Sequence, residues 1–179
     1  MKINTPPTIW FTGLSASGKT TLSTQLFKDL ERLGVDNVIL LDGDIIRKQI
    51  KNDIFDEKSR EKIAFQKINM ASNLNKEGSI VLISGISHKS ERRKDARRLI
   101  DNYYEIYLNC DVSVCAKRDY KNQYSKALAG KMDNFIGVTE QYEEHDETDL
   151  VIYTGRDTLA VCSSILLENS TPVVSLIPG

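Results

Sequence analysis

Residues 13–20 read Gly13-Leu14-Ser15-Ala16-Ser17-Gly18-Lys19-Thr20, the spacing GxxxxGK[ST], and they lie between two segments of opposite character. Before them, Thr8-Ile9-Trp10-Phe11-Thr12 is short, β-rich and nearly all apolar, as a strand buried on both faces is. After them, Leu22, Leu26, Leu30 and Leu33 recur at three- or four-residue spacing, a helix with one apolar stripe that Gly34 stops. A glycine loop between a buried strand and a helix start can fold its backbone N–H groups around phosphate oxygens, and the helix N-terminus adds a positive end. Lys19 then supplies a mobile cation for β- and γ-phosphates, and the Thr20 hydroxyl can ligate Mg²⁺. Residues Gly13 to Thr21 are therefore the expected ATP cradle, with Mg·ATP as the cofactor.

The rest of the chain repeats the same alternation. Strands are expected at Val38–Leu41, Ser79–Ser84, Tyr104–Leu108 and Leu150–Tyr153. Helices are expected at 57–76, 90–101, from Asp111 as N-cap to Asp119, and 158–168 with Asp157 as cap. Strand and helix alternating through 179 residues predict one α/β domain, 1–179, of three-layer α/β/α architecture with a mainly five-stranded parallel sheet. The periodicity fails between about 121 and 148, a polar stretch with Gly130 and Gly137, which is the expected lid. The tail 171–179 is apolar and too short to fold alone, so it is expected to pack on the body or on a partner.

Charge narrows the function. With 24 Lys+Arg against 25 Asp+Glu, a main role in coating nucleic acid or anionic membrane is excluded. No apolar run reaches membrane-span length and the first residues do not read as a signal peptide, so a cytoplasmic chain is expected. Three cysteines with no CxxC argue for reduced thiols rather than a disulfide framework or zinc site. His88 and His145 lack companions at ligand spacing, and the charged run Lys89 to Arg98 reads as a solvated helix face. The sequence has no DxxG, and Asn75-Lys76-Glu77-Gly78 has Gly where a guanine-reading Asp belongs, which argues against a GTPase switch. A kinase remains, and it needs a carboxylate for the acceptor hydroxyl, cations and a water-excluding lid. Asp42 and Asp44, around Gly43 just past the second strand, can face one locus near Mg²⁺ and the acceptor, and Arg47 can hold an anionic group there.

At this point the chain resembles a known family. WFTGLSASGKTT, LDGDIIR, Phe55 to Arg60, GIS at 85–87, RDYKNQYSKALAGKMDNFIGV at 118–138 and YE followed by DLVI are similar to adenylyl-sulfate kinases over roughly residues 8–155. The resemblance implies a P-loop kinase fold, homodimers, and transfer of the ATP γ-phosphate to the ribose 3′-hydroxyl of adenylyl sulfate. It implies catalytic roles for Lys19, Asp42, Asp44 and Ser87, with Asp44 (or Asp42) orienting the hydroxyl and Thr20 and Asp42 holding the metal. Ser87 matches a serine proposed as a phosphoenzyme site, although in-line transfer between two bound nucleotides needs no covalent relay. Arg47 and Arg60 match arginines that hold the acceptor's phosphosulfate end, and Phe55 and Phe135 match aromatics that sandwich its base. Ile86 and Ser87 match the pocket wall, Arg118 a position beside the ATP base, and Lys121 and Lys126 lid lysines.

The departures concern the acceptor. Where the family carries Asn-Ile-Arg-Arg, this chain has Ile63-Ala64-Phe65-Gln66, so an amide and two cations are absent; where it carries Phe-Ile-Ser-Pro, this chain has Gly85-Ile86-Ser87-His88. Another 5′-modified nucleotide, such as cytidine diphosphoramidate, is therefore a second expected acceptor. A regulatory nucleotide-binding protein without turnover and a sugar-acid kinase stand as alternatives of other classes.

Overall fold

A computed structural model describes residues 5–43, 46, 56–144, 147–169 and 171–176. The strands are β1 (Thr8–Thr12), β2 (Val38–Asp42), β3 (Ile80–Ser84), β4 (Tyr103–Asn109) and β5 (Leu150–Tyr153). They form one sheet in the order β2-β3-β1-β4-β5, parallel throughout. The helices among the described residues are α1 (Lys19–Arg32), α2 (Glu57–Lys76), α3 (Ser90–Leu99), α4 (Val112–Arg118), α5 (Gln123–Leu128), α6 (Leu159–Asn169) and α7 (Thr171–Leu176).

Successive strand residues face opposite sides, and this alternation builds the layers. Ile9 and Phe11 of β1, with Ile80 and Leu82 of β3, pack under Leu22, Leu26 and Leu30 of α1 and Cys162 and Leu166 of α6. Trp10, Val81 and Ile83 point the other way, onto Ile68 and Ala71 of α2 and Ala96 of α3. The strands are apolar on both faces because helices cover both. The three-layer α/β/α expectation therefore holds. A third apolar cluster lies beyond the sheet edge, where Leu14, Cys110, Cys115, Tyr124, Ala127, Phe135 and Ile136 meet. All three cysteines are free and buried, and burial pushes the Cys115 thiol up to about 12.

Several local expectations change. The stretch expected to be an unstructured lid contains α5: the Asp119 carboxylate accepts from the N–H groups of Lys121 (3.1 Å) and Tyr124 (2.7 Å), while Tyr124 and Ala127 turn inward. Asp111 does occupy the N-cap of α4, but its side chain makes no capping bond. Asp157 does not cap α6; its carboxylate takes Arg156 at 2.8 and 2.9 Å, and Thr158 Oγ1 accepts from Val161 N–H at 3.4 Å. The run expected to be a solvated face is not wholly so, since Arg93 of α3 is 1% exposed. The apolar tail packs on the body as α7, with Val173 fully buried in the α1–α6 cluster. Among the described residues no helix is long and apolar enough to cross a membrane.

Candidate active site

A cleft of about 1220 Å³ opens along the C-terminal ends of β1, β2 and β3. That volume exceeds the roughly 300–1,000 Å³ usual for one small ligand and suits two substrates side by side. In a parallel sheet this edge is where loops leave the strands and helix N-termini point.

The loop after β1 forms one half. Gly13 takes φ +139°, and a side chain there would meet the Leu108 carbonyl at 2.7 Å, so glycine is required by both conformation and space. Gly18, at φ +98°, is the N-cap of α1 and offers no capping side chain, which leaves the first-turn N–H groups facing the loop. The loop is braced from outside: Tyr124 Oη donates to the Ser15 carbonyl at 2.8 Å and Thr154 Oγ1 to the Ser17 carbonyl at 2.7 Å. Lys19 Nζ donates to the Leu14 carbonyl across the loop, and Ser15 to Thr21 line the cleft.

Register places the carboxylate. Asp42 at the end of β2 pairs with Ser84 at the end of β3. The Asp42 Oδ2 accepts from Thr20 Oγ1 at 2.7 Å and from Ser84 Oγ at 2.8 Å. A hydroxyl and a carboxylate thus converge at the mouth of the loop, a hard-oxygen donor set that fits Mg²⁺. Asp44, Arg47 and Phe55, expected here from sequence, lie outside the described residues.

The other half is walled by α2, the segment after β3 and the 132–136 stretch. Ile86 and Ser87 line it; Ser87 has φ +44°, unusual for a residue with a Cβ, and its carbonyl accepts from Arg93 Nη1 at 2.6 Å. Arg60 lines the wall and joins α2 to the far stretch, pairing with Glu140 and donating to the Asn134 carbonyl. His88 Nε2 lies 2.9 Å from Glu140 Oε1 and 3.6 Å from Glu57 Oε2, and the three offer ligand atoms within 4.8 Å of one another. Arg60 and Arg92 already neutralise those carboxylates, so the group reads as an ion-pair network tying the lid to α2. Burial pushes the His88 imidazole below its usual range, against the hydrogen bond and charge of Glu140, which pull it up. Burial works to raise the Glu140 carboxyl, and the bonds from Arg60 and His88 override it to hold the group below the usual range.

The aromatic and lid residues divide. Phe135 is 7% exposed, meets the Tyr124 ring edge-on at 4.8 Å, and still lines the cleft. Arg118, ending α4, donates to the Thr154 carbonyl at 2.9 Å on the side of the phosphate loop, and Lys121 reaches the cleft rim. Lys126 is exposed on α5 and is not among the cleft-lining residues.

Helix α2 also shows what sequence reading missed. Phe65 and Gln66, standing where the resembled family has arginines, do not line the cleft, whereas Ile63, Ala64 and Lys67 do. Arg60, Ile63, Ala64 and Lys67 follow the i, i+3, i+4, i+7 pattern of one helix face, a signal present in the sequence that points to Lys67. Chemically, the cleft offers a glycine loop able to cradle phosphates, a hard-oxygen pair suited to a metal and cations on its opposite wall, the parts needed for phosphoryl transfer between two bound molecules.

Comparison with known proteins gives matches along most of the chain. The family model described as Adenylylsulphate kinase matches residues 5–153. An adenylyl-sulfate kinase from Halothermothrix orenii is 36% identical over 162 residues, covering 90% of this chain and 87% of that protein. A cytidine diphosphoramidate kinase from Campylobacter jejuni is 39% identical over 149 residues, covering 83% and 86%. The solved structure of an APS kinase from Mycobacterium tuberculosis in complex with AMPPNP and APS superposes with a TM-score of 0.81 at 29% identity, covering 90% of this chain and 95% of that one.

Proposed function

The chain belongs to the adenylyl-sulfate kinase family, and we propose that it transfers the γ-phosphate of ATP to the ribose 3′-hydroxyl of a 5′-modified nucleotide, with adenylyl sulfate as first acceptor. The products are ADP and 3′-phosphoadenylyl sulfate. The observation that carries this reading is the Thr20–Asp42 hydrogen bond at the mouth of the phosphate loop, in a cleft that Lys19 also lines and that has room for two nucleotides. In this mechanism the loop Gly13 to Thr21 cradles the ATP phosphates. Lys19 offsets the charge that develops on the transferring group, worth most where water is excluded. Thr20 and Asp42 would hold Mg²⁺, which when bound would further neutralise the phosphates. Asp44 (or Asp42) orients the acceptor hydroxyl. Ser87 acts as a wall of the pocket, beside Ile86. Arg47 and Arg60 hold the acceptor's charged end, and Phe55 and Phe135 flank its base. Arg118 stands by the ATP base, and Lys121 and Lys126 close with a lid spanning 121–148.

Residues 1–179 act as one kinase domain, as a homodimer, in the cytoplasm where ATP is made. A second reading, cytidine diphosphoramidate as the acceptor in capsule biosynthesis, is favoured by Ile63 and Ala64 on the acceptor wall where an amide is expected. A flanking-aromatic pocket accepts a pyrimidine as readily as a purine, because every base has a π-face.

The test is ADP release with Mg·ATP against adenylyl sulfate and matched cytidine and uridine 5′-diphosphate analogues. Saturable turnover on adenylyl sulfate supports the first reading, and turnover confined to a pyrimidine acceptor supports the second. Absence of acceptor-dependent ADP release overturns both.

A further inference from the structure

The floor of the acceptor half holds a charged side chain that lies outside the phosphate-loop, LDGD and lid motifs. Lys67 is 7% exposed, and its ammonium lies against two glycines, one after each of β2 and β3. A Cβ at Gly43 or at Gly85 would come within 2.6 Å of Lys67 Nζ. The ammonium can occupy this place only because both positions lack a side chain. Position 85 is also where the resembled family carries phenylalanine.

A second donor meets the same spot. Trp10 is 2% exposed, and its Nε1 has no hydrogen-bond partner among the described residues. That nitrogen would lie 3.9 Å from a Cβ at Gly85. A buried indole N–H without a partner has lost its water and gained nothing in return, so the site is poised to receive an acceptor atom. Lys67 is engaged by the protein, and an ammonium has three N–H donors with which to meet a ligand as well. An oxygen lodged over the Gly85 Cα, where a side chain would otherwise stand, comes within reach of both donors.

We propose that Lys67 and the Trp10 indole, exposed to one another by Gly85, form a donor pocket that selects acceptor nucleotides presenting a lone-pair oxygen to the cleft floor. The inference rests on this half of the cleft being the acceptor half. It adds that the floor reads a polar group where a phenylalanine would offer only an apolar surface. The oxygen comes from one of two parts of the nucleotide, a base carbonyl or the 5′-phosphate end. Donors that are buried and pre-placed reject analogues lacking the partner far more strongly than an apolar wall does.

The experiment compares wild type, Lys67→Met and Gly85→Ala. The methionine removes the charge at similar length. The alanine keeps the charge but pushes the ammonium aside, and it decides the matter if Lys67→Met fails to fold. Affinities for adenosine and cytidine 5′-mono- and 5′-diphosphates are measured by calorimetry with AMPPNP present, and KM values for the same acceptors wherever the protein turns them over. Both variants are expected to weaken the preferred acceptor at least tenfold while the ATP KM stays within twofold. A loss confined to cytidine ligands assigns the oxygen to the base carbonyl; a loss that follows the number of 5′-phosphates assigns it to that end. Acceptor affinity within twofold of wild type in both variants overturns the proposal. So does a fall in kcat that is equal for every acceptor with KM unmoved, and so does a wild type that binds none of these nucleotides. Binding is read without turnover, so a wild type that binds but releases no ADP overturns the kinase reading alone.

Discussion

Lys89 is the N-cap of α3 and has no side chain able to cap it, yet the helix start is capped. Glu143 does so from the far side of the lid, accepting from Ser90 N–H at 3.0 Å and Ser90 Oγ at 3.2 Å while Lys89 Nζ approaches at 3.0 Å. The Ser90 N–H, followed by the Lys89 ammonium, holds the Glu143 carboxyl down at about 2. A carboxyl lowered on folding binds its proton more readily in the unfolded chain. Its stabilisation is therefore complete above the ordinary value of 4.5 and is lost as pH falls from there toward 2. Thermal melts of wild type and Glu143→Gln from pH 6 to pH 2.5 check this. The melting temperature of wild type should fall more steeply below pH 4.5, and the gap between the two curves should narrow steadily down to pH 2.5.

At the level of elements, α3 is held by one buried cation. Arg93 Nε lies 3.3 Å from Glu105 Oε1 of β4, both residues inaccessible, and the other guanidinium nitrogens donate to the Ser87 and Glu143 carbonyls. Glu105 is further satisfied by Tyr103 Oη and Thr148 Oγ1, each at 3.0 Å. One side chain thus fixes the helix to the sheet, the turn after β3 and the end of the lid. Arg93→Met leaves the Glu105 carboxylate buried without its cation, and such breaks cost about 3–5 kcal/mol. Urea denaturation should show the midpoint falling by that energy divided by the m-value, with the m-value itself unchanged. The double variant Arg93→Met/Glu105→Met should recover a large part of the loss, because two apolar groups leave no charge stranded.

For the whole molecule, ligand linkage gives the clearest readout. The phosphate loop is braced by Tyr124 of α5 and by Thr154 after β5, so filling it should stiffen strands and lid together. With Mg·AMPPNP at a hundred times its Kd, calorimetric melting should show about 2.7 kcal/mol of added stability. Lys19→Ala should lose most of that shift at the same nucleotide concentration while its unliganded melt stays near wild type. The phosphate loop, the parallel sheet and the helices on both faces were legible in the sequence, because each rests on a local pattern: a glycine spacing, an apolar run, a 3.6-residue stripe. Leu22, Leu26 and Leu30 needed no partner's identity to be read as a buried face. The Thr20–Asp42 pair was half legible, since motif and strand end each pointed to it, but the shared oxygen with Ser84 followed from the β2–β3 register. Lys67 against Gly43 and Gly85, Glu143 on α3 and Arg93 on Glu105 were decided by tertiary structure alone. Each joins a charge to a partner in another element, and whether a charge is solvated or buried depends on which surfaces the fold closes over it.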